Sequence, residues 1–511
     1  MRRSLPSEIA GFGAVRPFAG AFADAGAARP TGSRRVRPGV AKLLPDVRTA
    51  IEACGVRSGS TVSFHHHLRN GDGVMNMVMD EIARLGLSDI TIAPSSLFAV
   101  HAPLVEHMRS GVITGIVTGY MAGPVGEAVA SGLLARPAIM QTHGGRPRSI
   151  EAGEVVIDVA FIAAPTADPC GNINGVDGRS ACGALGYPTI DALHARHVVA
   201  ITDNLVPYPA CPIAISQDHV DYVVSVPSIG DASQIVSGTT RPTTNPRGLQ
   251  IAKTAAQVVE ASGLLVDGFS FQTGAGGVSL AVASALAERM AERRVRGSFG
   301  AGGVTGMIVD MLNRGLFRTL LDVQCFDLEA VRSFRTNPAH QMMSASMYAN
   351  PWNRGAVVNQ LDCMILGAAE IDLDFNVNVS TSTDGRIIGG SGGHSDTAAG
   401  SKLALVTTQL AAGQYPKVVH QVGTITTPGE TVDAVVTEAG VAVNPRRGDL
   451  RERLVAAGLQ VVEIEQLCAE ALAAAASHAE PPQPGEGRIV AVVQYRDGSV
   501  IDVIHQRQEK M

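Results

Sequence analysis

The densest glycine cluster in the chain stands next to residues that can do chemistry. It is GRIIGGSGGHSDTAAGSKL at 385–403, which holds Gly390, Gly392 and Gly393, with His394 directly after them. Such a loop lets a ligand approach main-chain N–H groups closely, because no Cβ atoms stand in the way. It could cradle a phosphate, or stabilise the oxyanion that forms at a thioester carbonyl. Paired glycines on both sides of Ser391 favour a functional loop over a merely tight turn.

The tetrapeptide GAGG occurs twice, at 274–277 and at 300–303, each time before a hydroxylated residue and an apolar helical run. This echo indicates successive strand–loop–helix units that are built alike. Neither copy is a nucleotide site by its pattern. The chain has no GxxxxGK[ST] motif, and GAGGVSLA is not a full GxGxxG fingerprint with an acid about 20 residues further on.

Three consecutive histidines, His65 to His67, stand in VSFHHHLRNGDG. If they continue a strand, His66 shares a core face with Val62 and Phe64, and the other two histidines share the polar face. A metal site needs three or four ligands, and no second cluster of ligands at suitable spacing lies nearby, so we expect no metal here.

Helix starts follow several of these motifs. Asp72 is a candidate N-cap for the helix whose apolar positions begin at Val74, and Ser395 or Asp396 for the helix after the glycine loop. Arg69 stands just before the first of these helices, where free N–H groups favour a carboxylate or phosphate. Pairing of Arg69 with a neighbouring acid is the structural alternative.

The elements that must position these residues alternate between short apolar runs and helical patterns. TVSFHHHL precedes VMNMVMDEIARLG, and the pattern starts again near Gly263. Strands that alternate with helices at this spacing predict an α/β fold with mainly parallel sheets. We expect an N-terminal arm at 1–45 and two similar open α/β domains at 46–260 and 261–511, with a hairpin turn at Asp497-Gly498.

Chain length, composition and net charge agree with this fold and disfavour nucleic-acid binding and a membrane-spanning protein. With 511 residues the chain is too long for one simple core, and 56 glycines with only 4% aromatic residues suit helices packed on sheets. A net charge of −6 without a long basic block disfavours nucleic acid. Seven scattered cysteines without a CxxC pair, and no apolar run of membrane length, lead us to expect a soluble cytoplasmic protein with reduced thiols.

Taken together, the motifs resemble the citrate lyase alpha subunit, a citrate CoA-transferase family. The resemblance covers nearly the whole chain. It includes RPFAGAF, VSFHHHLRNGDGVMN, SIEAGEVVIDVAFIAAPTADPCGNINGVDGRSACG, SFGAGGVTGMIVDML, NPWNRGAVVNQLD, IGGSGGHSDTAAGSKL and YRDGSVIDVIH.

The resemblance implies a CoA-transferase fold with the active site between its two domains. It also implies exchange of acetyl for citryl on a carrier-protein thioester, with release of acetate. The partners would be the gamma subunit, an acyl carrier protein with a prosthetic group derived from dephospho-CoA, and the beta subunit, which cleaves citryl thioester. No cofactor or metal is expected on this chain itself; magnesium would serve the beta subunit's step.

Many related CoA-transferases use a glutamate nucleophile near the strand after the second glycine motif. That strand reads TLLDVQCFD here, and the glutamate position falls on Val323 or Gln324. We therefore expect citrate to attack the thioester directly in a ternary complex.

The remaining site predictions rest on residue type and on the resemblance. For the thioester and its pantetheine arm they are Gly300, Gly302 and Gly303 together with Gly390, Gly392, Gly393 and His394. Ser395 and Asp396, directly after this loop, are also predicted to bind the substrate or the thioester. His394 could donate to the oxyanion or protonate a thiolate, unless it is a solvent-exposed loop residue. For citrate they are Arg69, Arg179 and Arg241, because a guanidinium binds carboxylates with two hydrogen bonds.

Glu438, in VVTEAGVAVNP, resembles a TExG feature of wider CoA-transferases at a strand-to-helix turn. It is a catalytic candidate or a buried pairing partner. Two other functions stay open: a transferase or hydrolase for a related acid such as citramalate, and a ligand-sensing regulator of the same fold. The regulator would usually carry a helix-turn-helix, which the first 45 residues do not resemble.

Overall fold

The computed structural model describes residues 4–20, 41–235, 241–475 and 487–507. Strands and helices alternate through most of these residues, as predicted. The strands of the two large sheets are, in chain order, β1 (Leu43–Leu44), β2 (Thr61–Phe64), β3 (Ile90–Pro94), β4 (Ile113–Thr118), β5 (Ala138–Met140), β6 (Val159–Ala164), β7 (His197–Thr202), β8 (Tyr222–Ser225), β9 (Ser270–Thr273), β10 (Gly297–Val304), β11 (Phe317–Cys325), β12 (His340–Met342), β13 (Cys363–Gly367), β14 (Leu403–Thr407), β15 (Ala434–Thr437), β16 (Gly440–Val443), β17 (Val461–Val462), β18 (Ile489–Gln494) and β19 (Val500–His505).

The α-helices of the described residues cover the faces of these sheets. They are α1 (Val47–Ala53), α2 (Val74–Arg84), α3 (Leu104–Arg109), α4 (Gly123–Ala130), α5 (Gly145–Glu151), α6 (Pro188–His194), α7 (Pro246–Ala261), α8 (Gly277–Arg293), α9 (Gly306–Asn313), α10 (Leu328–Thr336), α11 (Ala345–Ala349), α12 (His394–Gly400), α13 (Gly448–Ala456) and α14 (Ile464–Ala474). None of them is long and apolar enough to span a membrane.

The first sheet has the order β19-β18-β5-β4-β3-β2-β6-β7-β8-β1, and the second β12-β11-β10-β9-β13-β14-β15-β16-β17. Each sheet is parallel except for one antiparallel hairpin, β18–β19 in the first and β15–β16 in the second. Parallel strands are buried on both faces, and β6 accordingly reads VAFIAA with every residue buried. The predicted α/β class with mainly parallel sheets is confirmed.

The last two strands return to the first sheet, because β18 pairs with β5. Residues 261–511 are predicted as one domain, but 489–505 belong to the other sheet. Helix α7, before the expected boundary, packs on α8 and on strands of the second sheet. The predicted turn at Asp497-Gly498 does join β18 to β19, and Gly498 takes a φ of 82°.

The described part of the N-terminal arm packs on this returning hairpin. Phe18 donates its N–H to the carbonyl of Val500, and the Phe18 ring lies edge-on to Tyr495 with 4.7 Å between centroids. The segment 4–20 therefore lies over the first sheet's edge, as expected for an arm that covers a domain surface.

Of the predicted helix N-caps, the one at Asp72 is confirmed in its hydrogen bonds and the one at Ser395 or Asp396 is not. Helix α2 begins at Val74 with Gly73 before it, yet the Asp72 carboxylate accepts the N–H groups of Val74 and Met75, which is the expected capping. Helix α12 begins at His394, so Ser395 and Asp396 lie inside it and do not cap it.

Candidate active site

Loops from the two sheets meet at one junction, where the carboxyl ends of neighbouring strands come together. From the first sheet come Arg69 after β2, Phe98 after β3, Tyr120 after β4 and His143 after β5. These strands are adjacent in the order β5-β4-β3-β2. The carboxyl ends of parallel strands are where open α/β sheets bind ligands, so this edge is the expected place for a site.

The glycine loop at 389–393 is inserted between these first-sheet loops. Gly392 donates its N–H to the carbonyl of Gly119 at 3.0 Å and accepts the N–H of His143 at 2.7 Å. A Cβ at Gly390 would lie 2.6 Å from the Gly119 carbonyl oxygen. We call each large sheet with the helices that pack on it a unit, the first unit for the first sheet and the second unit for the second. Glycine is therefore required here for the close approach of two backbones, one from each unit. Gly392 also takes a φ of 51°.

Asp396 fastens the same junction from within α12. Its carboxylate accepts the Thr142 hydroxyl and the Gly144 N–H, each at 2.9 Å, and the Arg496 guanidinium lies 3.6 Å away. Burial raises the pKa of Asp396 to about 6 against the opposing effect of Arg496. The predicted helix cap is instead a bridge that fixes the loop carrying His143.

His394 does not face the junction. Its Nδ1 lies 2.7 Å from the Thr427 hydroxyl and its Nε2 lies 2.8 Å from the carbonyl of Gly367, so both ring nitrogens are engaged. Burial lowers the pKa of His394 to about 4. Ser395 is likewise turned inward, where its hydroxyl donates to the carbonyl of Thr426 at 2.7 Å. These contacts favour a structural role for both residues over contact with a thioester.

The second GAGG motif is not a loop. Gly300 to Gly303 lie within β10, where the register against β11 shifts between Gly302 and Gly303 and leaves Val323 as the extra residue of a bulge. A Cβ at Gly303 would lie 2.3 Å from the Phe326 ring, and one at Gly302 would lie 2.4 Å from Gln272 Nε2. The glycines make room for side chains at the junction. The first motif, at 274–277, precedes α8 as predicted.

Val323 and Gln324, where the sequence analysis placed the missing glutamate, stand at this bulge. The Val323 carbonyl accepts the N–H of Gly186 at 3.1 Å, and the Gln324 amide donates to the carbonyl of His66 at 3.0 Å. Both side chains are buried. Backbone and side chain thus tie the bulge to the first sheet.

Two amide oxygens at the junction have no hydrogen-bond partner among the described residues. Gln272 donates its Nε2–H to the Tyr348 hydroxyl at 2.7 Å, but its Oε1 is buried and unpaired, as is Gln324 Oε1. Buried polar atoms are nearly always hydrogen-bonded in folded proteins. Two unpaired acceptors beside Gly302 are therefore candidate contacts for donors of a ligand.

Arg69 is held at the junction by aromatic rings from both units. Its guanidinium carbon lies 5.6 Å from the Phe98 ring centroid and 4.7 Å from that of Phe326. Burial lowers the pKa of Arg69, against the opposing effect of Tyr120 and Tyr187. The residue takes a left-handed φ of 53°, a conformation that costs free energy in a non-glycine residue. A cation is thus presented among neutral aromatic groups.

The three histidines follow β2, which ends at Phe64, and all three are buried. His67 Nε2 lies 2.6 Å from the Ala163 carbonyl, and His65 Nε2 lies 3.5 Å from Asp191. His66 packs on Tyr187, with centroids 4.6 Å apart, and on His143 at 5.8 Å. Only His66 faces the junction.

His143 and Tyr187 were missed by the sequence analysis. Their rings lie 4.7 Å apart and complete the first-sheet wall beside Arg69 and His66. Burial lowers the pKa of His143 to about 3. The available signal was a histidine before Gly144-Gly145 directly after a strand, in MQTHGG.

The other candidates for citrate binding lie elsewhere. Arg179 is exposed and pairs with Asp203 at 3.2 Å. Arg241 is exposed, and its carbonyl lies 3.2 Å from where a Cβ of Gly277 would stand, at the start of α8. Of the three arginines, only Arg69 has contacts with junction residues of both units.

Glu438 stands in the hairpin between β15 and β16, not at a strand-to-helix turn as expected. Its carboxylate accepts the N–H of Leu410 at 3.1 Å, and its carbonyl accepts from Gln250 at 3.2 Å. It also lines a groove of about 490 Å³ beside α7. These contacts correspond to the structural alternative.

One group of potential metal ligands exists among the described residues: Asp322, Cys325 and His340. The Cys325 thiol donates to Asp322 Oδ2 at 3.0 Å, and His340 Nε2 lies 3.0 Å from the same oxygen. All three are buried behind the bulge. Their hydrogen bonds to one another stabilise β11 against β12.

Two open α/β units that meet at a glycine-lined junction define a protein of the CoA-transferase-like fold class. The alpha chain of citrate lyase from Escherichia coli K12 is 49% identical over 92% of this chain and 91% of its own length. The structure of the alpha subunit of citrate lyase from Streptococcus mutans, in complex with citrate, superposes with a TM-score of 0.93 at 45% identity over 96% of both chains.

The family described as "Citrate lyase, alpha subunit" matches residues 40–507. The chain belongs to the citrate lyase alpha subunit family, whose members are citrate CoA-transferases. A malonate decarboxylase hetero-tetramer from Pseudomonas contains a chain with a TM-score of 0.63 at 16% identity, over 84% of this chain and 85% of that one. That likeness extends to the fold alone.

Proposed function

We propose that this chain exchanges acetyl for citryl on a carrier thioester at the junction between the two sheets, by direct attack of citrate. The observation that carries the proposal is the position of Arg69, whose guanidinium lies against Phe98 of the first unit and Phe326 of the second. A tricarboxylate bound there would stand beside the glycine loop and the bulge.

Citrate binding at Arg69 is supported by charge and by similarity. The planar guanidinium donates two parallel hydrogen bonds to a carboxylate, and these bonds strengthen where water is excluded. Tyr120 and Tyr187 interact electrostatically with Arg69 and supply neutral hydroxyl groups for further carboxylate oxygens. A relative that is 45% identical was determined with citrate bound, which favours citrate for this chain as well.

The pantetheine arm of the thioester fits the second-unit wall. Its amide N–H groups are donors of the kind that Gln272 Oε1 and Gln324 Oε1 lack. The backbone of 389–393 approaches the same region without Cβ atoms, as an acyl group requires. Burial between the two units excludes water, which would otherwise hydrolyse the thioester.

The transfer balances without a protein nucleophile. A citrate carboxylate oxygen attacks the acetyl carbonyl, the C–S bond breaks, and a mixed anhydride and a thiolate form. The thiolate then attacks the citryl carbonyl, and acetate leaves with the bridging oxygen. Valine at position 323 cannot form a covalent intermediate, and positioning with electrostatic stabilisation supplies the rate enhancement.

The physiological acyl donor in this proposal is the acyl carrier protein, the gamma subunit, with its dephospho-CoA-derived group, and CoA thioesters replace it in vitro. The beta subunit would cleave the citryl thioester within a cytoplasmic complex. No prosthetic group is assigned to this chain. The curated relatives are named as alpha chains of citrate lyase, which implies a multi-subunit assembly.

The test is acyl exchange from [¹⁴C]acetyl-CoA by the purified chain, with citrate, citramalate and water as competing acceptors. We expect labelled acetate to appear in proportion to citryl-CoA, and citrate to exceed citramalate in kcat/KM. Release of acetate without an acid acceptor would identify a hydrolase. Binding of citrate without any exchange would identify a ligand sensor, and either result would overturn the proposal.

A further inference from the structure

His143 occupies a space that two glycines leave open. Its Nδ1 lies 3.2 Å from where a Cβ of Gly119 would stand, and its Nε2 lies 3.3 Å from the corresponding position of Gly392. A side chain at either position would press on the imidazole. The ring is therefore seated between the loop after β4 and the glycine loop of the second unit.

The His143 ring is fixed by packing, whereas its nitrogens make no hydrogen bond to the described residues. Among the described residues, no hydrogen bond reaches either ring nitrogen of His143, and the residue is half-buried. The neighbouring His66 differs, because its Nδ1 lies 2.5 Å from the Ser95 hydroxyl. So does His394, with both nitrogens engaged.

The backbone on both sides of His143 is fixed by the second unit. Its own N–H donates to Gly392, and Thr142 and Gly144 both donate to Asp396. Tyr187 packs against the ring at 4.7 Å between centroids. A donor held this firmly needs little reorganisation when charge develops in front of it, which is the requirement for stabilising an oxyanion.

We propose that the His143 imidazole donates a hydrogen bond to the carbonyl oxygen of the thioester as that oxygen becomes an oxyanion, an assignment that rests on the acyl transfer proposed above. It takes the part for which the sequence analysis considered His394. Each of the two addition steps places negative charge on a carbonyl oxygen and returns it to a leaving group. No proton is transferred, so the donor must keep its hydrogen.

The protonation state of His143 agrees with this role. Desolvation, with a smaller effect of the Arg146 guanidinium, lowers the pKa of His143 to about 3, which favours the neutral imidazole near pH 7. A neutral imidazole carries one N–H and acts as a hydrogen-bond donor, not as an acid. Its neutrality also avoids a second cation that would compete with Arg69 for citrate.

The variants that test the proposal are His143→Phe, which keeps an aromatic ring against Tyr187 without a donor, and His143→Gln, which keeps an N–H donor. His219→Phe, at a partly exposed position, is the matched control. We expect His143→Phe to lower kcat about 100- to 1000-fold with KM for citrate changed less than about 3-fold. We expect kcat of His143→Gln to be at least about 10-fold higher than kcat of His143→Phe, because the glutamine keeps an N–H donor.

A second measurement is independent of turnover. The carbonyl stretch of [1-¹³C]acetyl-CoA bound to the wild type should lie below that of the free thioester, and should return to the free value in His143→Phe. The proposal would be overturned if the carbonyl stretch in His143→Phe stayed as low as in the wild type. It would also be overturned if kcat of His143→Phe lay within about 3-fold of the wild type. If the wild type itself fails to exchange acetyl for citrate, the proposed function fails, and the carbonyl stretch still decides the contact. If His143→Phe does not fold, the stretch in His143→Gln, expected to stay lowered, takes its place.

Discussion

The guanidinium of Arg69 lies 4.7 Å from the ring centroid of Phe326, so a cation from the first unit rests on an aromatic side chain from the second. The contact joins two loops that are more than 250 residues apart in the chain. It makes the position of the Arg69 guanidinium depend on correct assembly of both sheets. If Arg69 binds citrate as we propose, substrate binding and the closed junction are coupled.

Replacement of Arg69 tests its role directly. Arg69→Ala should lower kcat/KM for citrate about 10- to 100-fold, mainly through KM, because a charged hydrogen bond to a carboxylate is lost. Arg69→Lys keeps the charge without the planar guanidinium, so its kcat/KM for citrate should lie between those of the wild type and Arg69→Ala. Steady-state kinetics with citrate as the varied substrate measure both. Arg179→Ala, which removes an exposed partner of Asp203, should stay within about twofold of the wild type; equal losses in the two alanine variants would contradict the assignment.

Gly390 tests the close approach of the two units. Gly390→Ala places a Cβ 2.6 Å from the Gly119 carbonyl and should cost about 1–3 kcal/mol as the backbones separate. Thermal unfolding should show a lower midpoint, and the transfer rate should fall with it. Gly367→Ala is the matched control, since its Cβ meets nothing within 4 Å. Similar unfolding midpoints for the two variants would show that the junction accommodates a Cβ at Gly390, and would contradict the close approach.

Buried neutral histidines predict a loss of stability in acid. Burial lowers the pKa of His65 to about 3, below the value of about 6.5 in an unfolded chain, so unfolding takes up a proton below pH 6.5. His65 alone should therefore reduce the free energy of unfolding by about 1.4 kcal/mol between pH 7.5 and pH 5.5. Asp396, whose pKa is raised, acts in the opposite direction between about pH 4 and 6.

Urea unfolding of the wild type and of His65→Gln at these two pH values measures this contribution. The difference between the two pH values should shrink by about 1.4 kcal/mol in the variant. His219→Gln, at a partly exposed site, should leave this pH difference as in the wild type. An identical pH difference in His65→Gln and the wild type would mean that folding does not shift the pKa of His65, and would contradict the prediction.

Variants of Glu438 test whether this residue is catalytic, as its resemblance to a TExG feature suggests, or structural, as its contacts indicate. Its carboxylate accepts the Leu410 N–H in a hairpin, so Glu438→Gln should keep most of the contact and leave kcat within about threefold. Glu438→Ala should lower the unfolding midpoint and leave kcat of the folded fraction intact. A well-folded Glu438→Gln variant with kcat reduced 100-fold or more would return the residue to the active site.

The sequence predicts the local structure well where the pattern is local. The apolar run of β6, the spacing of buried residues in α2 and the turn at Gly498 depend on neighbours in the chain. Arg69 could be found because it follows a strand and precedes a helix. The return of β18 to the first sheet could not, because it depends on pairing with β5, about 350 residues earlier.

At several predicted site positions, glycine and histidine make contacts that the sequence pattern did not indicate. Gly303 avoids a collision with Phe326 inside a strand, which a glycine-rich pattern does not distinguish from a ligand-binding loop. His394 stands in the most conspicuous motif, yet it binds Thr427 and Gly367 within its own unit. His143 stands in an ordinary stretch, and only the tertiary packing of Gly119 and Gly392 brings it to the junction.

The central claim is that citrate reaches the thioester without an enzyme-bound acyl or CoA intermediate. It is tested by a single turnover, with the chain in excess over acetyl-CoA and with carboxylate-¹⁸O-labelled citrate. Mass spectrometry of the first acetate released reads the result. Direct attack predicts one ¹⁸O in that acetate, because the bridging oxygen of the anhydride comes from citrate. Unlabelled acetate in the first turnover, with the label appearing only later, would mean that a side-chain carboxylate had attacked first and would contradict the account.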